Sequence, residues 1–505
     1  MRFLSLLIIV FISINGFAQN AAINFDLQAA IKKYHNTDKK ITLMVKGDIA
    51  QIKSFVIENK GSYGLSAKGF IQVKLPVNKI EAFAKNNFVE YIEYTIPNLQ
   101  LLNDTMLIHN NVVDAHSGVA PLRQSYTGKG VLFGLIDTGI DITHPDFQDT
   151  LGNTRILSLW DQTQTFDGNI YGYGTVWDSS DINLGTCTHY DPLLFRGHGT
   201  HVSGIGAGNG NAANDYKGVA PDANIVAVGI DFSSEEDAIV DAVHFIYSLA
   251  DALNMPCVIN ISLGSYRGSR DATDARAVLI DSMVTAKNGR ALVSAAGNAG
   301  AIHYHVQHQI TSDTTFTWFK YNPSSVLGTG AVFYELWSDT ADFNHADYAV
   351  GINIPFGSFS ERGTTPFYNI QNRLGIHADT VLNTNGDTLA IVETFGELQG
   401  DKYLLQVKIE HTDSTNYLFS LKSTGNGKLD IWSTNNGILS TSEIVRTGLP
   451  SVATYPKMVY YQYPDTLQTI VSSFTCSPTT IAVGTYRNRK TYIDYDNNVQ
   501  ITAGT

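Results

Sequence analysis

Three short segments hold side chains that could act together. Asp137 follows the apolar run Val131-Leu132-Phe133-Gly134-Leu135-Ile136 and opens Asp137-Thr138-Gly139. His198 stands in Gly197-His198-Gly199-Thr200-His201. Asn298 lies in Ser294-Ala295-Ala296-Gly297-Asn298-Ala299-Gly300. A carboxylate can hold an imidazole in one tautomer, and that imidazole can take the proton of a nucleophilic hydroxyl. A side-chain amide can donate to the oxyanion that forms next. These are parts of an acyl-transfer site. Singly, each has a bland reading, because an acid after a strand usually closes a turn and a histidine among glycines is usually structural.

The elements around the three segments alternate. Val131 to Ile136 is a continuous apolar run, as expected of a strand buried on both faces. Asn224-Ile225-Val226-Ala227-Val228, Val258-Ile259-Asn260-Ile261-Ser262 and Ala291-Leu292-Val293-Ser294-Ala295 read the same way. Ser234 and Asp237 form a capping box for a helix that carries Ile239, Val243, Ile246, Tyr247 and Ala250 on one face. A further helix is expected over 274–288. Strands of this kind separated by helices predict a parallel α/β sheet, which places its sites at the carboxyl ends of the strands.

In this order, the three motifs resemble those of the subtilisin-like serine peptidases (subtilases), which follow Asp, His and Asn with a Ser in Gly-Thr-Ser. The resemblance covers about 120–300 and resumes near 470–505. It implies that Asp137 orients, His198 is general base and then acid, and Asn298 donates to the oxyanion. It also implies that Ser262, Leu263, Gly264 and Gly297 line a cleft where an extended peptide pairs with the chain. The expected substrates are proteins or peptides. Asp146, in His144-Pro145-Asp146-Phe147, matches a carboxylate that binds calcium in many relatives, with Asn209–Asn214 as a source of oxygen ligands. No cofactor is required, and calcium would be structural. No Gly-Thr-Ser occurs in the 505 residues. The nucleophile is therefore expected beyond Thr505, and the chain as given is expected to be inactive.

The rest divides around this domain. Met1 to Ala18 has a short basic start, an apolar run and small residues before Gln19, so a secretory signal is expected over 1–18. Export or a cell-surface or periplasmic site follows from it. Residues 41–94 read β-α-β-β-α-β, the ferredoxin-like order. By the resemblance they are the compact part of a propeptide over 19–118, which would be a partner of the enzyme. Between 311 and 455 the helical period vanishes and aromatic alternating runs take over, which predicts an inserted antiparallel β-sandwich, probably the jelly-roll insertion of one subgroup of the family. The catalytic domain is then 119–310 and 456–505. Its fold class is an α/β parallel sheet of subtilisin-like type.

Composition narrows the alternatives. With 34 basic and 47 acidic residues the net charge is −13, which leaves no electrostatic footprint for nucleic acid. No run is long enough to span a membrane. The three cysteines, Cys187, Cys257 and Cys476, cannot form a disulfide framework. Asp137-Thr138-Gly139 is also the signature of aspartic peptidases, but no second Asp-Thr-Gly supplies the partner carboxylate. His303, His305 and His308 raise a zinc site, without a placed glutamate base. A non-catalytic, peptide-binding use of the same fold is the remaining alternative.

Overall fold

The computed structural model describes residues 21, 23–34, 39–94, 100–101, 110–191, 197–213, 216–232, 237–265, 268–322, 332–433, 442–485, 491–493 and 499–501. The expected signal segment and Ser234 lie outside them.

The first unit begins with helix α1 (Phe25–Tyr34). Then follow β1 (Lys40–Gly47), α2 (Ile49–Glu58), β2 (Ser62–Ala67), β3 (Phe70–Pro76), α3 (Ile80–Ala84) and β4 (Val89–Glu93). Asp48 caps α2 by accepting from the N–H groups of Ala50 and Gln51. The four strands form one antiparallel sheet in the order β2-β3-β1-β4. One face of it packs against α2 and α3 through Leu43, Ile52, Val73 and Phe83. From the other face Met44, Phe70 and Tyr91 enter the core of the large domain. Glu93 ends β4 and reaches across to that domain. Its carboxylate accepts from the N–H of Ala275 at 3.0 Å and pairs with Arg276 at 3.2 Å.

A two-residue strand β5 (Gln100–Leu101) leads towards the large domain. The central sheet there is built from β6 (Leu132–Asp137), β7 (Ile156–Asp161), β8 (Thr175–Asp178), β9 (Asn224–Gly229), β10 (Cys257–Ile261), β12 (Arg290–Ala295) and β13 (Thr480–Val483). Between β10 and β12 lies the short strand β11 (Leu263–Gly264). The sheet order is β13-β12-β10-β6-β9-β7-β8. The first six run parallel, and β8 closes the edge as an antiparallel partner of β7. The sheet is thus mixed where an all-parallel one was expected, because the 13 residues between β7 and β8 turn back as a hairpin with no crossover helix. Successive residues of β6 and β9 enter opposite cores: Leu132, Ile136, Val226 and Val228 one, Leu135, Ile225 and Ala227 the other. That two-sided burial is why these strands are apolar throughout. Helix α4 (His198–Ala207) covers one face. Helices α5 (Asp237–Ala252) and α6 (Ala275–Thr285) cover the other, where Ile239, Val243, Ile246, Tyr247 and Ala250 are all buried.

Residues 305–432 form two antiparallel sheets over a shared core. The larger has six strands, in the order 305–310, 427–432, 332–339, 402–410, 388–399 and 375–382. The smaller runs 315–320, 418–425, 346–353 and 361–364, with 368–369 at its side. Phe319 stacks on Tyr334 with ring centres 4.0 Å apart, among Leu336, Leu405, Phe419 and Ile431. The first strand starts at His305, so the expected boundary at 310/311 falls after it. His305–Ile310, with its alternating polar residues, is the first strand of the insertion and pairs with 427–432.

The three histidines do not converge on a metal. His305 has Asp465 Oδ1 at 2.7 Å on one ring nitrogen and Asp430 Oδ1 at 3.0 Å on the other. His308 contacts the hydroxyls of Thr315 and Ser423, and burial pushes its pKa down to about 3. Among the described residues no group of three His, Cys, Asp or Glu could hold an ion. The three cysteines are free thiols.

Candidate active site

Asp137 is the last residue of β6 and is fully buried. His198 is the first residue of α4. The two meet at 2.7 Å, His198 Nδ1 to Asp137 Oδ1. The same oxygen accepts the N–H of Thr138 at 2.8 Å. Burial pushes the Asp137 carboxyl above its ordinary pKa, opposed by the bonds from His198 and Thr138. An N–H at Nδ1 leaves Nε2 as the basic nitrogen of the neutral ring.

Two glycines let the strand end and the helix start come this close. A Cβ on Gly199 would stand 2.0 Å from the carbonyl oxygen of Gly139. Gly139 itself has φ +134°, and a Cβ there would strike the His189 ring at 2.5 Å. His189 is buried behind the loop, with its Nδ1 2.6 Å from Asp161 Oδ2. Its Nε2 accepts the N–H of Ile140 at 3.1 Å. The sequence reading missed Asp161, His189 and Asp191, which all support this loop. Their signal, two acids and a histidine flanking the Asp137 and His198 motifs, carries no spacing rule.

The other candidate residues follow β10 and β12. In the sheet order β12-β10-β6, one strand separates the end bearing Asp137 from the end leading to Asn298. At about 4.8 Å per strand the two ends are roughly 10 Å apart. Between them runs the segment after β10. Ser262 accepts from Asn260 Nδ2 at 3.0 Å. Leu263 and Gly264 are buried and pair antiparallel with β5, Leu263 opposite Leu101 and Gly264 opposite Gln100. A Cβ on Gly264 would meet Ser472 Oγ at 2.7 Å, so only glycine fits. Gly297 has φ +116°, which favours glycine and turns the chain so that Asn298 is exposed.

Oxygens around Asp146, expected as calcium ligands, have partners within the protein. Asp146 Oδ1 accepts the N–H of Ala212 at 2.8 Å. The Gln148 carbonyl accepts from Asn209 Nδ2 at 2.6 Å and Asn211 Nδ2 at 3.2 Å. The neighbouring carbonyls converge on a cation from the chain itself. Arg155 donates to the oxygens of Asp146 (2.6 Å), Ala207 (2.5 Å), Pro221 (2.8 Å) and Ala223 (2.8 Å). Asn214, the end of the expected ligand loop, lies outside the described residues.

Residues 128–346 match the subtilase family. The chain is similar to a subtilisin of Bacillus sp. (strain TA39), 31% identical over 182 residues, or 35% of this chain and 36% of that protein. It is also similar to the minor extracellular protease Vpr of Bacillus subtilis (strain 168), 26% identical over 250 residues, or 45% of this chain and 26% of that one. The aligned region thus spans about a third or less of these relatives. Among solved structures, the Clostridium perfringens CspB protease superposes with a TM-score of 0.52 at 19% identity, over 79% of this chain and 83% of that one. At that identity the likeness shows the fold.

Two outcomes follow. Gly199→Ala should lower the unfolding free energy by about 1–3 kcal/mol, because two backbones must separate; denaturant titration reads it, and an unchanged midpoint would contradict the contact. Chelation of divalent ions should leave the melting temperature of the chain unchanged, whereas Arg155→Met should lower stability by about 3 kcal/mol or more, since four carbonyls lose a charged donor. A melting temperature that falls on chelation would show that an ion is held after all.

Proposed function

As a member of the subtilase family, this chain belongs, we propose, to a secreted serine endopeptidase that cleaves peptide bonds by acyl transfer. Asp137 keeps its carboxylate on Nδ1 of His198, which fixes the tautomer and stabilises the imidazolium when Nε2 takes a proton. His198 first removes the proton of the attacking hydroxyl and then returns it to the leaving amine. Asn298 donates to the oxyanion, aided by backbone N–H groups nearby. The serine is assigned to a Gly-Thr-Ser segment outside the 505 residues. Substrates bind as extended strands along Leu263 and Gly264.

The observation that carries this reading is the pairing of β5 with β11, beside the Asp137–His198 contact. The chain's own strand occupies the groove that a peptide would enter, as a tethered, product-like ligand. The unit 41–94 then acts as a propeptide, held by Glu93 on Ala275 and Arg276 and by Met44, Phe70 and Tyr91 in the large domain's core. Export fits the expected signal segment over 1–18. The insertion over 305–432 supplies no catalytic group and limits access to the cleft.

Labelling by a serine-directed fluorophosphonate tests the assignment. The 505-residue chain should not react, and the product of the full reading frame should react at one serine. Labelling of the 505-residue chain would show that another residue attacks. An unreactive full-frame product would favour the peptide-binding alternative. In that full product, Asn298→Ala should lower kcat by about 10²–10³, the loss known for the oxyanion donor of subtilisin, with little change in KM. Equal losses in binding and turnover would contradict the role.

A further inference from the structure

The Asp137–His198 contact joins two separate elements, the end of β6 and the start of α4, and a third acid fastens them to each other. Asp191 is 9% exposed. Its Oδ1 accepts the Thr138 hydroxyl at 2.7 Å. Its Oδ2 accepts both the N–H of Thr200, at 2.8 Å, and the Thr200 hydroxyl, at 2.7 Å. Thr138 Oγ1 in turn accepts the N–H of Gly199 at 2.8 Å, and Thr200 Oγ1 accepts the N–H of Asp141 at 2.8 Å. Residues 138 and 141 on one side and 199 and 200 on the other are thus tied through one carboxylate.

Proton counting gives this carboxylate a second effect. A threonine hydroxyl has one proton. Thr138 can give it to Asp191 at 2.7 Å or to Asp137 Oδ1 at 3.3 Å. The shorter bond to Asp191 wins, so Asp137 Oδ1 keeps its capacity for the Thr138 N–H and for His198. A carboxylate has the acceptor capacity for all three donors. Its negative charge also raises the proton affinity of Asp137.

We propose that Asp191 is a positioning residue for the acid–base pair: it holds the start of α4 against the end of β6 and draws the Thr138 proton away from the oxygen that His198 uses. The proposal rests on the reading of Asp137 and His198 as that pair. Asp191 touches neither the groove nor β11, so its effect falls on turnover and not on peptide binding. In Asp191→Asn the amide oxygen still accepts from Thr200, but the amide N–H donates to Thr138 Oγ1. The Thr138 hydroxyl proton then turns to Asp137 and competes with His198.

The test is steady-state kinetics of the full reading-frame product on a peptide substrate, across pH. The other titratable groups packed round Asp191 are Asp137, His198 and His189 with its partner Asp161. Asp191→Asn should lower kcat roughly tenfold, leave KM within about twofold, and move the acid limb of kcat/KM to lower pH, because loss of a nearby negative charge disfavours the imidazolium. A fall in kcat with a rise in KM, or an unmoved limb, overturns it. Thr138→Val removes the bridging hydroxyl without touching the acid and should reproduce the kcat loss at unchanged KM; should Asp191→Asn not fold, this variant decides, and full turnover in it overturns the proposal. His198→Ala separates the two levels: if it keeps turnover the acid–base reading fails, and if it is dead while Asp191→Asn and Thr138→Val are normal, only the positioning role fails.

Discussion

A carboxylate placed wholly out of water is the constraint on which the rest depends. Burying a charge costs several kcal/mol unless it is paired and hydrogen-bonded. Asp137 meets that requirement with one N–H of its own strand end and one imidazole N–H, both on the same oxygen. The imidazole must therefore arrive at the strand end at bonding distance, and the helix that bears it must start there. This is what Gly139 and Gly199 permit and what the ties through Thr138, Thr200 and Asp191 keep in place. The buried apolar strands behind Asp137 supply a rigid platform. A loop alone could not hold an ion pair at 2.7 Å without a large entropic loss.

Much of this was legible in the residues. Apolar runs without alternation announced β6, β9, β10 and β12 as strands covered on both faces. The stripe Ile239, Val243, Ile246, Tyr247 and Ala250 announced the helix over them, and Asp48 announced the start of α2. Glycines beside Asp137, His198 and Asn298 marked close backbone approach. What stayed hidden depends on distant partners. The strand His305–Ile310 alternates its burial only because 427–432 lies beside it. Asp161, His189 and Asp191 look like ordinary loop polar residues, and only folding puts them behind the Asp137 loop. Asp146 misled in the opposite way, since its motif was read for an ion while its carboxylate and the carbonyls around it serve amide and guanidinium donors.

Arg155 shows what replaces an ion in such a place. Four carbonyl groups that converge from three segments repel one another unless a positive centre stands among them. A guanidinium does this with directed N–H bonds, remains charged at any ordinary pH, and is covalently part of the fold. Burial lowers its proton affinity, yet Asp146 and Asp222 act against that. The segments it ties, near 146, 207 and 221–223, frame α4 and the start of β9, so the same cation that stabilises the domain also steadies the helix bearing His198.

The site divides its groups by what each must do. A full charge that never touches substrate can be buried, and Asp137 is. Under the proposed function a neutral donor that acts only on a developing oxyanion must be reachable, and Asn298 is exposed on its turn after β12. Between them Leu263 and Gly264 pair antiparallel with Gln100–Leu101 of the chain itself. Under the proposed function this is the groove that an extended peptide would enter, and Gln100–Leu101 fills it. An open strand edge readily pairs with other extended chains, and here Gln100–Leu101 covers it. Tethering the occupant to a folded unit that docks through Glu93, Met44, Phe70 and Tyr91 raises its local concentration far above that of any competing peptide. Under the proposed function the N-terminal unit and the groove would form one device, and the affinity of the first would set when the second can work.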